Sequence, residues 1–470
     1  MRQSHLSCDK HMYRGRFCRL FGGAKAPPVA PCLRDRRREA VKRGRYPREA
    51  EQLKAMKVAL RSHLAALAYF PCGIAAAIWA LEAFGVALHN SQDNDWGPAR
   101  VLLHGLDPYK LYLHCASCPK PPFLPPVAPM YPASGLILLW PLAVLSWPAA
   151  KATWAILNLT FGAGLIVTLY RLFLPDGGWR YAILAFIALF AGAPFLTNVE
   201  IGQHAVFALG WFVAALWADR RGNTALAAIF LAVSWFKYTL TFPLSLLFVV
   251  RSRWTPVLAA AVVHVVLTIF AAVWTGSSLL DLLLGPLRVV QMVHRAGHLD
   301  VFGLAMRLGL GSRLVPLVAA CALAVAVLAA ALRSRPQTDL SLLCLFSLFA
   351  YTVVYHLAYD LVVLIIPLFY VLSRMQVWNE VDVLDRVWTI MLAVLLGWTW
   401  FADHLVQTMK TQHIEWVLCA YPTYYASTAV WFYATTLVGI LTVGTRLATP
   451  VKRLPAAAGV TNRAAGQVAT

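Results

Sequence analysis

Residues 64–89 read LAALAYFPCGIAAAIWALEAFGVALH, an apolar run with a single charged residue, Glu82. A helix rises 1.5 Å per residue, so a run of this length can cross the hydrocarbon core of a bilayer, which is about 30 Å thick. On the order of a dozen apolar runs follow, nearly all joined by short loops. This pattern predicts a polytopic helical membrane protein.

The composition supports the same fold class. Hydrophobic residues make up 60% of the chain, charged residues only 13%, and the mean hydropathy is +0.63. Soluble domains carry about 25% charged residues. The runs are continuously apolar and do not alternate as the strands of a transmembrane barrel do, so we expect an all-α protein.

Charge divides the chain into three regions. Residues 1–63 hold 17 Lys or Arg and only 5 Asp or Glu residues, which predicts a basic cytoplasmic tail, partly disordered. The anionic cytoplasmic leaflet explains such a basic segment better than nucleic acid does, so no nucleic-acid partner is expected. Residues 64–447 are predicted to form the transmembrane domain, and residues 448–470 a cytoplasmic C-terminal tail.

About 12 transmembrane helices are expected in that domain. The predicted spans are 64–89, 151–173, 181–196, 204–219, 224–239, 240–250, 255–275, 313–332, 339–356, 360–373, 386–402 and 424–444.

The stretch 131–147 is the ambiguous apolar run. If it crosses, the arginine-rich loops face outward; if it is juxtamembrane or re-entrant, they face the cytoplasm. The positive-inside rule favours the second arrangement, and Pro141 and Pro148 fit a broken segment. Both termini are then cytoplasmic, and the first outer loop, 90–150, carries juxtamembrane or re-entrant helices.

An acidic group follows the first predicted span. Asp93 and Asp95 are candidate general bases, since a carboxylate at the membrane surface can take a proton from an attacking hydroxyl. The alternative is that Asp95 or Asn94 caps a helix beginning near Trp96. We interpret Asp107, in Gly-Leu-Asp-Pro-Tyr, as a turn residue.

Three further groups are candidates for substrate binding. Glu200, Gln203 and His204 lie in a turn between two spans, where they could bind a sugar or phosphate or simply cap a helix.

Lys237 lies between apolar segments, where a lipid-linked phosphate is a natural partner and snorkelling to the interface is the alternative. His356 and Asp360 are four residues apart and would share one helix face, either towards a cavity or as a structural buried pair.

Metal and cofactor signals are weak. Cys115 and Cys118 could form a small disulfide, but a zinc site would need further ligands. The sequence has no P-loop, no dinucleotide-binding glycine motif and no HExxH pair. We therefore predict no metal site and no cofactor. A divalent metal ion stays open as an alternative, although no cluster of ligands in the sequence indicates one.

Several motifs in their order resemble glycosyltransferase family 87. They are ARVLLHGLDPY at 99–109, NVEIGQH at 198–204, the segment from Asp219 to Leu244, RSRW at 251–254 and YDLVVLIIP at 359–367. The resemblance covers roughly residues 64 to 375. Members of this family are integral-membrane enzymes of the GT-C class.

The resemblance implies transfer of a sugar, with mannose as the first expectation, from a polyprenyl phosphate to a glycan or lipid acceptor. It places the active site at the outer face of the cell inner or plasma membrane and implies inversion at the anomeric carbon. Asp95 or Asp93 would be the base, and Lys237 with His356 would hold the donor phosphate. Membrane lipids are the remaining expected partners.

The chain departs from the family pattern at three places. The family's GQxN is Gly202-Gln203-His204-Ala205 here, its Lys-Pro is Lys237-Tyr238, and its His-His-Leu-Val is replaced by Tyr359-Asp360-Leu361-Val362. Either His356 or Asp360 could therefore take the donor-side role. The two alternative functions are a lipid-linked sugar flippase and a catalytically inactive scaffold of the same fold.

Overall fold

A computed structural model describes residues 69–89, 91, 95–114, 128–175, 178–293, 300–307, 309, 314–333, 338–353, 357–402 and 415–445. These residues form helices and turns and contain no strand, which confirms the all-α fold class. The two predicted tails lie outside the described residues, so the predicted domain boundaries stay predictions.

The helices follow one another with few long connections. In chain order they are α1 (Tyr69–His89), α2 (Trp96–Leu103), α3 (Pro108–His114), α4 (Ala133–Leu138), α5 (Trp140–Ala143), α6 (Trp147–Phe173), α7 (Trp179–Phe190), α8 (Ala193–Glu200), α9 (Ala205–Arg220), α10 (Thr224–Ser234), α11 (Tyr238–Val250), α12 (Trp254–Thr275), α13 (Leu279–Val293), α14 (Val301–Arg307), α15 (Leu314–Arg333), α16 (Asp339–Val353), α17 (Ile365–Gln376), α18 (Val383–Gly397) and α19 (Glu415–Thr445). Segments of 3-10 helix occur at Trp235–Lys237, Ala358–Leu364 and Trp378–Glu380.

Among the described residues, eight helical segments are long and apolar enough to cross a membrane, or nine if α7 and α8, bent by 55°, form one span. This supports a multi-pass membrane protein, but the expected count of about 12 spans is not confirmed. Helices α9 and α16 have only 16 and 15 residues. The two spans expected on either side of Lys237 fall within one apolar stretch, Thr224–Val250.

That stretch nevertheless turns back on itself at the Trp235–Lys237 turn. Arg253, just after α11, forms an ion pair with Asp219 near the end of α9, the helix that precedes α10. Across the turn, the Trp235 indole donates a hydrogen bond to Ser245 Oγ at 2.9 Å. Both ends of the stretch therefore lie at one face of the protein, and Lys237 lies at the tip of the turn.

The two ends of the helices differ in chemistry. We call one the arginine end, after Arg220, Arg251 and Arg253, and the other the polar end, after Asp95, His204 and Lys237. At the arginine end, Asp339 accepts from Arg220 at 3.1 Å and from Arg251 at 2.9 Å, beside a cleft of about 290 Å³. These ion pairs join α9, α11 and α16.

The run 131–147 does not cross the protein, as expected. Its first residue, Tyr131, accepts a hydrogen bond from the Tyr109 hydroxyl, and its last, Trp147, lies with its ring 5.3 Å from that of Trp96. Both partners belong to the polar end. Arg100 of α2 also donates to the carbonyl of Ala143, at the end of α5, at 3.0 Å. Helices α4 and α5 therefore enter and leave at the same face.

Asp107 has the structural role that we expected. Its Oδ1 atom accepts hydrogen bonds from the backbone N–H groups of Tyr109 and Lys110, at 2.9 and 3.1 Å, which satisfies the start of α3. Helix α13 packs on α3 so closely that a Cβ atom at Gly285 would lie 2.5 Å from Tyr109 Cγ. This contact holds α13 over the polar end.

Candidate functional site

Asp95 lies immediately before α2 with a left-handed backbone, φ 49°. Its carboxylate makes no capping hydrogen bond to the helix and is 1% exposed. The alternative in which Asp95 caps α2 is therefore wrong. Asp adopts this backbone region more readily than most residues, yet such geometry still costs of order 1–3 kcal/mol, and residues that adopt it cluster at functional sites.

His204 faces that carboxylate from the start of α9. Its Nδ1 atom lies 3.9 Å from Asp95 Oδ2, and both side chains are buried. The imidazole makes no capping bond to α9; Asn198 Oδ1 instead accepts the N–H of Val206, at 3.4 Å. The His204 ring is thus directed towards Asp95 and not towards its own helix.

Aromatic rings surround His204 on three sides. Its ring centroid lies 5.2 Å from that of Tyr131, 4.9 Å from that of Trp154 and 4.7 Å from that of Phe236. Trp154 is itself fixed, because its indole donates to the Gln203 carbonyl at 3.2 Å. Rings packed this closely hold the imidazole in one orientation and keep bulk water away from Asp95.

Lys237 forms a second buried contact at the polar end. Its Nζ atom lies 2.7 Å from Asp360 Oδ1, and the two side chains are 3% and 5% exposed. The snorkelling alternative is therefore wrong, since the ammonium group is directed into the protein. The Tyr359 and Tyr131 rings lie close to it, with centroids 4.8 and 6.0 Å from Nζ.

Tyr131 connects the two contacts. Its ring lies against His204 and also faces Lys237. Asp95 and Asp360 are linked to this tyrosine through His204 and Lys237, although the four ionisable residues come from four separate parts of the chain. We call these five residues the polar cluster.

Tyr109 contacts the backbone of the polar cluster at Tyr131. Its hydroxyl donates to the Tyr131 carbonyl. Burial raises the pKa of Tyr109 well above its ordinary value, and the negative charges of Asp95 and then Asp107 raise it further. Tyr109 is therefore a neutral donor that holds the start of the 131–147 run beside Asp95.

The structure describes two of the other predicted residues and leaves the rest outside its described ranges. Gln203 is buried next to His204, and Glu200 is half-buried at the end of α8, which packs against the Ala358–Leu364 turn that carries Asp360. Asp93 and His356 lie outside the described residues, as do Cys115 and Cys118. The predicted pair of His356 with Asp360 and the choice between Asp93 and Asp95 therefore stay predictions.

Sequence reasoning did not select the aromatic members of the site. Tyr131, Tyr359, Trp154 and Phe236 all contact the ionisable residues, but aromatic residues are common in membrane helices and carry little information alone. The available signals were the positions of Tyr131 at the start of a motif and of Tyr359 directly before Asp360.

A metal site would need several ligands close together. Within the part of the chain that the structure describes, no group of three or more His, Cys, Asp or Glu side chains is arranged to hold an ion. The cluster instead offers a carboxylate, an imidazole and an ammonium group, which can move a proton and bind an anion.

These features define a multi-pass membrane protein with a buried polar cluster at one end of its helices. Residues 130–358 match the model of glycosyltransferase family 87, the family that the motifs resemble. The matched range is just under half of the chain, and the family that it matches implies a membrane glycosyltransferase that binds a sugar donor and an acceptor. No curated protein and no solved structure matches the chain significantly.

The matched range contains much of the cluster. Tyr131, His204 and Lys237 fall inside it, whereas Asp95 and Asp360 lie beyond its two limits. The match is narrower than the range of roughly 64 to 375 over which the motifs resemble the family. The contacts of Asp95 and Asp360 with matched residues are what tie them to the same site.

Proposed function

We propose that this protein transfers a sugar, with mannose as the first candidate, from a polyprenyl phosphate to a hydroxyl of a glycan or lipid. The observation that carries the proposal is that Tyr131 contacts both a buried cation, Lys237, and His204, the neighbour of a buried carboxylate, Asp95. Sugar transfer needs a base for the acceptor and positive charge for the departing phosphate.

In the proposed reaction Asp95 takes the proton of the acceptor hydroxyl as its oxygen attacks the anomeric carbon. A new carbon–oxygen bond forms, and the bond from that carbon to the phosphate oxygen breaks with its electron pair on the phosphate. Attack from the opposite side inverts the anomeric centre. The products are the glycosylated acceptor and polyprenyl phosphate, and Asp95 then returns its proton to solvent.

Other residues of the cluster have supporting roles in this proposal. Lys237 stabilises the charge that develops on the phosphate, in a buried place where electrostatic interactions are strong. His204 positions Asp95, and Glu200, Gln203, His356 and Asp360 complete the substrate-binding set. The mechanism assigns no step to a metal ion.

We further propose that the polar end faces outward from the cell inner or plasma membrane. Arg220, Arg221, Arg251 and Arg253 lie together at the opposite end, where the positive-inside rule places the cytoplasm. Both termini would then be cytoplasmic, and lipid-linked sugar would meet its acceptor outside.

The experiment is a transfer assay with protein purified in detergent. Polyprenyl-phosphate-mannose is incubated with candidate glycan and lipid acceptors, and release of polyprenyl phosphate is measured with and without EDTA. We expect Asp95→Asn to lower the rate by about 10²–10⁴-fold, the usual contribution of a general base. Loss of activity in EDTA would require a divalent metal ion in the mechanism.

The matched control is Asp281→Asn. Asp281 lies on α13 and is paired with Arg288 at 3.1 Å and Lys110 at 3.6 Å, outside the polar cluster. This variant should retain transfer. No transfer by the wild-type protein, together with movement of lipid-linked sugar between leaflets that survives Asp95→Asn, would contradict the proposal and favour a flippase.

A further inference from the structure

The Lys237–Asp360 pair places an anion where the proposed function needs the phosphate. The contact is short, 2.7 Å between Nζ and Oδ1, and both side chains are almost fully buried. Burying two charges has a large desolvation cost, and the mutual attraction often does no more than offset it. A structural pair could be replaced by apolar residues, so the presence of both charges within the polar cluster calls for an explanation.

The net charge around the phosphate site decides which ligands it favours. Lys237 attracts any phosphate, and the Tyr131 and Tyr359 rings near Nζ add no formal charge. Asp360 cancels the formal charge of Lys237 and repels a phosphate in proportion to that phosphate's own charge. Screening by salt is weak in a buried site, so this repulsion persists at physiological ionic strength.

Donor and product differ in this charge. A polyprenyl-phosphate sugar is a phosphodiester with one negative charge. The polyprenyl phosphate left after transfer is a phosphomonoester, which carries about −1.5 to −2 at neutral pH. The reaction therefore raises the negative charge next to Asp360 at the moment when the product should leave.

We infer that Asp360 is a specificity-determining residue that lets the site hold a singly charged phosphodiester and expel the doubly charged phosphomonoester formed from it. This inference rests on the proposed function, because it takes the ligand of Lys237 to be a lipid phosphate. In the empty site Asp360 keeps Lys237 neutralised and directed inward. After transfer, the same carboxylate favours release of the product.

The test uses two lipids that differ in charge and by a single methyl group. Polyprenyl phosphate and polyprenyl methyl phosphate of the same chain length are bound to purified protein near pH 8, above the second phosphate pKa of about 6. We expect the wild-type protein to bind the methyl diester at least about tenfold more tightly. Asp360→Asn should lose or reverse this preference, chiefly by tighter binding of polyprenyl phosphate.

Asp385→Asn is the matched control. Asp385 is also a buried carboxylate in a short pair, with its Oδ2 atom 3.1 Å from Arg374 Nε, but it lies at the arginine end of α18. Its removal should leave the preference between the two lipids as in the wild-type protein. The control separates a local charge effect from a general effect of losing a buried carboxylate.

The outcomes are distinct. Equal binding of the two lipids by the wild-type protein, or tighter binding of polyprenyl phosphate, would overturn the inference even if Asp360→Asn failed to fold. A wild-type preference that Asp360→Asn retains would leave Asp360 a structural partner and also overturn it. If the wild-type protein bound neither lipid, that result would instead contradict the proposed function itself.

Discussion

His204 Nδ1 lies 3.9 Å from Asp95 Oδ2, and the two side chains are 0% and 1% exposed. Asp95 precedes α2 and His204 precedes α9, so the contact joins the segment before α2 to the interior of the helical domain. A buried carboxylate needs a nearby compensating group, and His204 is positioned to supply it.

Replacing His204 with phenylalanine separates its packing from its chemistry. Phenylalanine can keep the ring contacts with Tyr131, Trp154 and Phe236, and Asn198 still caps α9, so the fold should be retained. Because Asp95 then loses its partner, we expect transfer to fall at least about tenfold, as for loss of an acid–base partner. Release of polyprenyl phosphate is the measurement, with the exposed His104→Phe as control. An unchanged rate would show that His204 only packs.

The Lys237–Asp360 pair should behave as a coupled unit in stability. Asp360→Leu leaves Lys237 buried without its partner and should cost about 3–5 kcal/mol, whereas Lys237→Met with Asp360→Leu should recover most of that loss. Denaturant unfolding of the four proteins in detergent gives the coupling energy. The double variant should remain without transferase activity. If the changes in unfolding free energy of the two single variants simply added up to that of the double variant, the pair would contribute no coupling energy.

Asp339 should hold the arginine end together without affecting catalysis. It accepts from both Arg220 and Arg251, so Asp339→Asn weakens two partly buried ion pairs between helices. We expect a loss of about 1 kcal/mol, since partial exposure limits each contact. Thermal unfolding measures this loss, and the exposed Glu380→Gln is the control. A large fall in transfer with unchanged stability would contradict a purely structural role.

The contact of α13 with Tyr109 predicts a sharp response at Gly285. A Cβ atom there would lie 2.5 Å from Tyr109 Cγ, so Gly285→Val must displace α13 or the tyrosine. We expect a loss of about 1–3 kcal/mol, typical of overpacking, and faster trypsin cleavage at Arg288. Gly164→Val is the matched control, because a Cβ atom at Gly164 meets nothing within 4 Å. Equal cleavage rates would contradict the packing.

The proposed orientation predicts which ends of α9 and α12 are accessible from outside. Arg221 follows α9 at the arginine end, and Ser277 follows α12 at the polar end, so each can be replaced by cysteine as a reporter of its side of the membrane. In a protein with Cys115 and Cys118 changed to serine, an impermeant maleimide should label Ser277→Cys in intact cells. Arg221→Cys should react only after the membrane is opened. The reverse pattern would place the polar cluster in the cytoplasm.

Several elements were predictable because their causes are local. The long apolar runs indicated helices, Asp107 was identified as a turn residue, and the prolines in 131–147 indicated a segment that does not cross. The break near Lys237 was also expected. The number of spans was harder, because α9 and α16 are shorter than a full crossing and α7 bends into α8.

The site was predictable only in part. Asp95, His204, Lys237 and Asp360 were candidates because ionisable residues near apolar segments are costly and usually have partners. Their partners were not predictable. For Asp95 the alternative to a general base was a helix cap, and Asp360 was considered as a partner of His356 and not of Lys237. The surrounding aromatic rings had no distinctive spacing.

Sequence alone determined that this chain is a helical membrane protein with a small set of ionisable groups near the ends of its apolar runs. Hydrophobicity and helical periodicity act over a few neighbouring residues, so they can be identified without the fold. Tertiary structure alone decided that Asp95 meets His204 and that Lys237 meets Asp360. Those contacts depend on how helices distant in the chain pack against one another, and no local pattern records that packing.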